Sequence, residues 1–129
     1  MRGLARRDWL TLAALNGFSA IAMGAFAAHA VKDPRAVEWI RTGAQYAFWH
    51  TMATFASAAM MGMGARRARF APAFFLTGSV IFAGTLYAMA FGAPRWLGAI
   101  TPIGGVLFLF GWAWLAVSAR DVDRARAET

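Results

Sequence analysis

Long apolar stretches alternate with short charged ones along this chain. Residues 9–30, 42–64, 70–91 and 97–119 each run for 22 or 23 positions without Lys, Arg, Asp or Glu. A helix rises about 1.5 Å per residue, so each stretch reaches across a hydrocarbon core of roughly 30 Å. The pattern therefore predicts four membrane-spanning helices. The connections are short, which forces neighbouring spans to run antiparallel. The simplest packing is an all-α, integral membrane four-helix bundle, up-down-up-down. The 129 residues leave no length for a second domain, so 1–129 is read as one four-span unit.

Local signals punctuate these runs. Asp33-Pro34 reads as an N-cap followed by Pro at the first helical position. Residues 34–41 then form an amphipathic segment near the headgroups, with Trp39 as its interfacial anchor. Thr101-Pro102 lies inside the fourth apolar run. Proline lacks an N–H and crowds the preceding turn, so the fourth helix is broken or kinked there. Either it starts at Pro102 after an irregular stretch at 96–101, or it starts near Leu97 and bends. In both cases the Gly98 carbonyl loses its usual partner, and in lipid a neighbouring chain or water must supply one.

Sorting positions at about 100° per residue gives each helix a character. On the first, Ala13, Gly17, Ala20, Gly24 and Ala27 form a seam of small residues, bordered by Asn16. On the third, Ala71, Gly78, Thr85 and Gly92 recur every seven residues. The fourth offers Gly98, Gly104, Gly105 and Gly111. Small residues let membrane helices approach closely, so Gly17, Gly24, Gly78, Thr85, Gly104 and Gly105 are read as close-packing positions. The second helix differs. Gly43, Tyr46, His50, Thr54, Ser57, Met61 and Gly64 share one face, and a polar row belongs inside the bundle.

Charge then assigns the sides. The N-terminus, second connection and C-terminus share one side under this threading. That side carries Arg2, Arg6, Arg7, Arg66, Arg67, Arg69, Arg120, Arg124 and Arg126, against Lys32, Arg35, Arg41 and Arg95 on the other. Basic residues stay in the cytoplasm, so both termini are expected inside. Arg6-Arg7 ahead of an apolar run ending Ala28-His29-Ala30 has the look of a signal peptide. The run is longer than the usual h-region of about 7–15 residues, so a retained span is expected. The net charge of +7 is scattered over helix ends rather than gathered on one element, which argues against nucleic-acid binding.

Candidate chemistry is sparse. There is no cysteine, and no carboxylate inside any apolar run. No catalytic triad, phosphate loop or zinc spacing is present, so no catalytic residue, cofactor or metal ligand is assigned and an enzyme is not expected. Counted from Thr42, His50 lies about eight residues, roughly 12 Å, below the outer boundary. At that depth the other helices offer Ala22 to Gly24, Ala83 to Thr85 and Gly104 to Gly105, which leaves room for a ring, a water or a small ligand. His29 sits near a helix end, with an interfacial role expected. Tyr46, His50, Thr54, Ser57, Gly98 and Thr101 form the candidate intramembrane polar site.

Four patterns taken together resemble a known family. They are Gly24-Ala25-Phe26-Ala27-Ala28-His29; Trp39 through Thr42-Gly43-Ala44-Gln45-Tyr46 to His50; Gly78 through Phe82-Ala83-Gly84-Thr85-Leu86-Tyr87; and Leu97-Gly98-Ala99-Ile100-Thr101-Pro102-Ile103-Gly104-Gly105 ending Gly111-Trp112. Over residues 8–118 the chain is similar to the YgdD-like small membrane proteins, a domain-of-unknown-function family (DUF423). The resemblance implies four spans, the inner (plasma) membrane of a bacterium and no assigned activity. Two functions follow as expectations. One is a non-catalytic accessory, assembly or interaction module, whose partners are membrane lipids and another membrane protein or a second copy of the chain. The other is a small-molecule, proton or ion pathway along the polar face of the second helix, built by an oligomer.

Overall fold

The computed structural model describes residues 4–128, Ala125 by its backbone alone. Arg2, counted above among the basic residues, lies outside them. The described residues are helical, without a strand. Four long helices follow in order: α1 (Arg6–Ala30), α2 (Pro34–Gly62), α3 (Ala71–Ala90) and α4 (Thr101–Ser118). A short C-terminal helix, α5 (Arg124–Ala127), ends the chain. Three 3₁₀ turns, Arg66–Phe70, Arg95–Ala99 and Ala119–Asp121, link or extend them.

The helix ends follow the local chemistry. Asp33 caps α2: its Oδ1 accepts the Arg35 amide at 3.2 Å, and Pro34 stands at the first position, where its missing N–H costs nothing. Asp8 reaches back from the first turn of α1 to accept the Ala5 amide at 2.8 Å. The turns after α2 and α3 use Gly64 (φ 97°) and Gly92 (φ 101°), a left-handed conformation that costs glycine little.

Pro102 is resolved in favour of a late start. α4 begins at Thr101 with Pro102 in its first turn, after the separate 3₁₀ turn at Arg95–Ala99. Two donors meet the Leu97 carbonyl there, the Ile100 amide at 2.9 Å and the Thr101 hydroxyl at 3.3 Å. In contrast, residues 34–41 are continuous with the rest of α2, a single helix of 29 residues.

Three stretches are long and apolar enough to cross a membrane: Arg6–Ala30, Arg66–Ala90 and Arg95–Asp121. The second helix, expected to be a fourth, does not meet that measure although it is the longest. Gln45, His50, Thr51, Thr54 and Ser57 lower its apolarity, and its neighbours cover most of them. α2 buries ten residues and α3 nine, against four on α1 and six on α4, so α2 and α3 form the centre. α1 packs along α2, α2 along α3, and α3 along α4; α1 and α4 form no extended contact among the described residues.

Small residues set the closest approach. The seam on α1 is buried at Ala13, Gly17, Ala20 and Ala27. A Cβ placed on Gly104 would lie 2.6 Å from the Phe82 nitrogen and 2.7 Å from the Gly78 oxygen, so α3 and α4 meet backbone to backbone. At Gly111 it would strike the Phe75 ring at 2.5 Å. Two expected seam positions are not of this kind. Nothing lies within 4 Å of a Cβ on Gly24 or Gly105; Gly24 lines an open groove between the end of α1 and the first turns of α2.

A histidine sealed by aromatic rings

His50 lies mid-bundle on α2, 4% exposed. Its Nδ1 is 2.6 Å from the Tyr46 carbonyl one turn back. On the other side the Trp112 indole donates to Nε2 at 3.1 Å. An indole N–H only donates, so Nε2 is the bare nitrogen and Nδ1 carries the proton given to Tyr46. The ring is thus held as a neutral imidazole in one tautomer. The Phe108 ring stacks on it at 3.5 Å between centroids and 10° between planes. Phe75 adds a tilted contact at 5.5 Å.

These rings replace the roomy pocket expected from depth counting. That count began at Thr42, but α2 begins at Pro34, so His50 is 16 residues, roughly 24 Å, along it. The level of His50 is therefore met not by Gly104 and Gly105 but by Phe108 and Trp112 further along α4.

The other candidate residues separate into two groups. Thr54 and Ser57 are fully buried with His50 on α2, and each hydroxyl donates to its own helix, to the His50 carbonyl at 2.9 Å and the Ala53 carbonyl at 2.8 Å. Tyr46 does not point inward as expected. It is 37% exposed, its ring lying against Trp49 and Phe82 at the bundle edge. Thr101 joins Thr85 instead, hydroxyl to hydroxyl at 2.6 Å between α3 and α4. A Cβ on Gly98 would meet only the end of the Met89 side chain, its sulfur at 3.7 Å and its methyl at 3.9 Å, both ordinary contacts. His29 is exposed in the last turn of α1, and no cluster of three metal-ligating His, Asp or Glu occurs among the described residues.

A second polar cluster joins α1 to α2. The Asn16 amide donates to the Ala47 carbonyl at 3.1 Å and to the Thr51 hydroxyl at 3.0 Å, and that hydroxyl donates to the Ala13 carbonyl at 3.1 Å. Thr51 was missed in the sequence. It lies four residues after Ala47 and three before Thr54, a spacing that places it on the α1-facing side.

Comparison with known proteins matches residues 23–105 to a family described as a protein of unknown function (DUF423). The chain belongs to this family. The UPF0382 membrane protein of Haemophilus influenzae is 44% identical over 114 residues, spanning 86% of this chain and 92% of the relative. The UPF0382 inner membrane protein YgdD of Escherichia coli K12 is 40% identical over 125 residues, 92% of this chain and 93% of that one. A UPF0382 membrane protein of Staphylococcus epidermidis is 34% identical over 113 residues, 85% and 93% of the two chains. No solved structure matches the chain. This DUF423 member is accordingly a membrane protein.

One further site lies at the basic end of this DUF423 chain. Arg67 grips Asp121 with two bonds, Nε to Oδ2 at 2.6 Å and Nη2 to Oδ1 at 2.8 Å. The Trp114 indole donates to the Arg67 carbonyl at 2.7 Å, and the Asp123 amide to the Met63 carbonyl at 3.0 Å. The connection after α2 is thus fastened to the segment after α4. The Arg67 hydrogen bonds hold the Asp121 carboxyl below its ordinary value, and the same bonds raise the Arg67 guanidinium.

Proposed function

We propose that the protein is a non-catalytic accessory, assembly or interaction module of the bacterial inner membrane. It crosses four times, up-down-up-down, with both termini in the cytoplasm. The observation that carries the functional reading is the closure around His50. Both ring nitrogens have partners, Phe108 covers one face, and the adjacent hydroxyls are bonded to their own helix. A substrate, proton carrier or permeating ion needs an open polar group, and this centre offers none within one chain. The bare surfaces lie elsewhere, on α1 at Phe18 (74% exposed) and on α4 at Leu109 (69% exposed). Such faces suit lipid or a partner's transmembrane helix.

The topology has its own support. Arg6 and Arg69 line one groove, and Arg67 holds Asp121, so three basic segments gather at one end. Fusions to a cytoplasm-only fluorescent reporter and a periplasm-only phosphatase test it: fluorescence without phosphatase activity is expected at both termini, and the reverse at either end refutes the threading. For function, purified protein in liposomes is expected to leak protons and small ions no faster than empty vesicles. Flux above that baseline which His50→Ala abolishes, with helicity retained, would overturn the module reading in favour of a pathway. A photo-crosslinker at Leu109 is expected to give one discrete protein adduct in cells; lipid adducts alone would count against an interaction role.

A further inference from the structure

At the basic end, a groove of about 350 Å³ opens between the start of α1, the last turns of α2 and the start of α3. Its volume falls within the roughly 300–1,000 Å³ of small-ligand sites. Trp9, Leu10, Ala58 and Met61 supply apolar walls, while Arg6 and Arg69 are its charged residues; no carboxylate lines it. Neither arginine forms an ion pair among the described residues, although Arg67 nearby does. Arg69 instead lies over the Phe70 ring, 4.7 Å from its centroid. An apolar slot with two unneutralised guanidinium groups complements one kind of molecule: an acyl chain joined to an anionic head. Arginine suits the head, because its planar fork matches a phosphate.

We propose that this groove binds an anionic phospholipid, one acyl chain against Leu10, Ala58 and Met61 and the phosphate between Arg6 and Arg69. Bound in this way, the lipid would place Trp9 of the groove wall at the boundary between chain and head, where interfacial indoles usually sit. The groove meets the His50 cluster at Thr54, whose hydroxyl is already bonded to the His50 carbonyl, and the site needs no particular function of the protein. Only its assignment to the cytoplasmic leaflet rests on the topology proposed above.

Native mass spectrometry of the full-length chain released from nanodiscs tests this, using phosphatidylglycerol and phosphatidylcholine of matched chains at equal mole fraction. Each basic residue at an anionic surface favours binding about fivefold, so two give roughly a 25-fold preference for phosphatidylglycerol. Arg6→Gln with Arg69→Gln is expected to bring the two lipids near parity, with helicity retained by circular dichroism. Arg66→Gln with Arg120→Gln, which changes equal charge outside the groove, is expected to leave the preference intact. Filling the slot with Ala58→Leu should lower retention of phosphatidylglycerol. Equal retention of both lipids by the unaltered protein overturns the proposal, as does an unchanged preference in the folded Arg6/Arg69 variant. So does an equal loss in the Arg66/Arg120 variant, which would mean diffuse surface charge. Displacement by inorganic phosphate would mean a small-anion site, and a dimer that excludes lipid would mean a second copy in the groove. If the Arg6/Arg69 variant fails to fold, the lipid ratio of the unaltered protein and its resistance to phosphate decide.

Discussion

Gly104 and Gly105 are adjacent on α4 but meet opposite surroundings, so alanine at each makes a matched pair. Both substitutions add one methyl, and both improve helix propensity by about 1 kcal/mol. At Gly105 nothing lies within 4 Å, so Gly105→Ala is expected to be neutral or slightly stabilising. At Gly104 the new carbon would sit 2.6 Å from the Phe82 nitrogen, against 3.4 Å for ordinary contact. The obstruction is backbone, which has no rotamer to escape into. The two helices must separate by roughly 0.8 Å, and a gap of about 0.5–1 Å forfeits a quarter to a half of the dispersion attraction along the seam. Lipid supplies no hydrophobic drive to restore it. Overpacking of this kind costs about 1–3 kcal/mol. Because propensity cancels between the two sites, Gly104→Ala should be less stable than Gly105→Ala by about that amount. Reversible unfolding in mixed micelles, titrated with sodium dodecyl sulfate, reads the difference. Equal stabilities within about 0.5 kcal/mol would refute the backbone-contact account of the α3–α4 seam.

Other predictions test the polar clusters. Trp112→Phe keeps an aromatic ring but leaves the His50 Nε2 without its donor; a cost of about 0.6–1.7 kcal/mol is expected in the same titration. That cost should shrink in a His50→Leu background, and an undiminished cost would mean that Trp112 acts through packing alone. Thr51→Val deprives Asn16 of one acceptor and the Ala13 carbonyl of a donor; a loss of about 1 kcal/mol is expected. Ser19→Ala, whose hydroxyl serves only the Asn16 carbonyl on its own helix, should change little; equal losses would deny the α1–α2 bridge. The Asp121 carboxyl is lowered in the fold, so its contribution is present above the ordinary carboxylate value near 3.9 and is lost as pH falls through the folded value. Trp114 emission should report that loss on acidification, and Asp121→Asn should show the acid-like emission already at neutral pH. An identical acid transition in Asp121→Asn would place its origin elsewhere.

The fold was legible where the signal is additive. Helices under the uncharged runs and an Asp-Pro cap are local signals, and both are found, although α2 starts earlier than its run and falls short of the apolarity of a span. The proline excluded a regular mid-helix position without choosing between a late start and a bend. The α1 seam was legible for the same reason: Ala13, Gly17, Ala20 and Ala27 share a face at helical spacing and are buried. His50 as a buried polar centre also came from periodicity on its own helix. What periodicity could not give was the partner. Tyr46 shares the His50 stripe but lies at its edge, and which edge is covered depends on where α3 and α4 stand.

By itself, then, the order of residues determined the helices, their caps and which faces carry small or polar groups, because these depend on interactions within a few residues of chain. Tertiary structure alone decided the relative heights of the helices. A shift of one turn is about 5.4 Å and leaves every local pattern intact, yet it exchanges Gly104 for Phe108 at the level of His50. Side-chain volumes across α2, α3 and α4 select among such shifts together, and the selected height turned an open polar site into a ring-lined, hydrogen-bonded core.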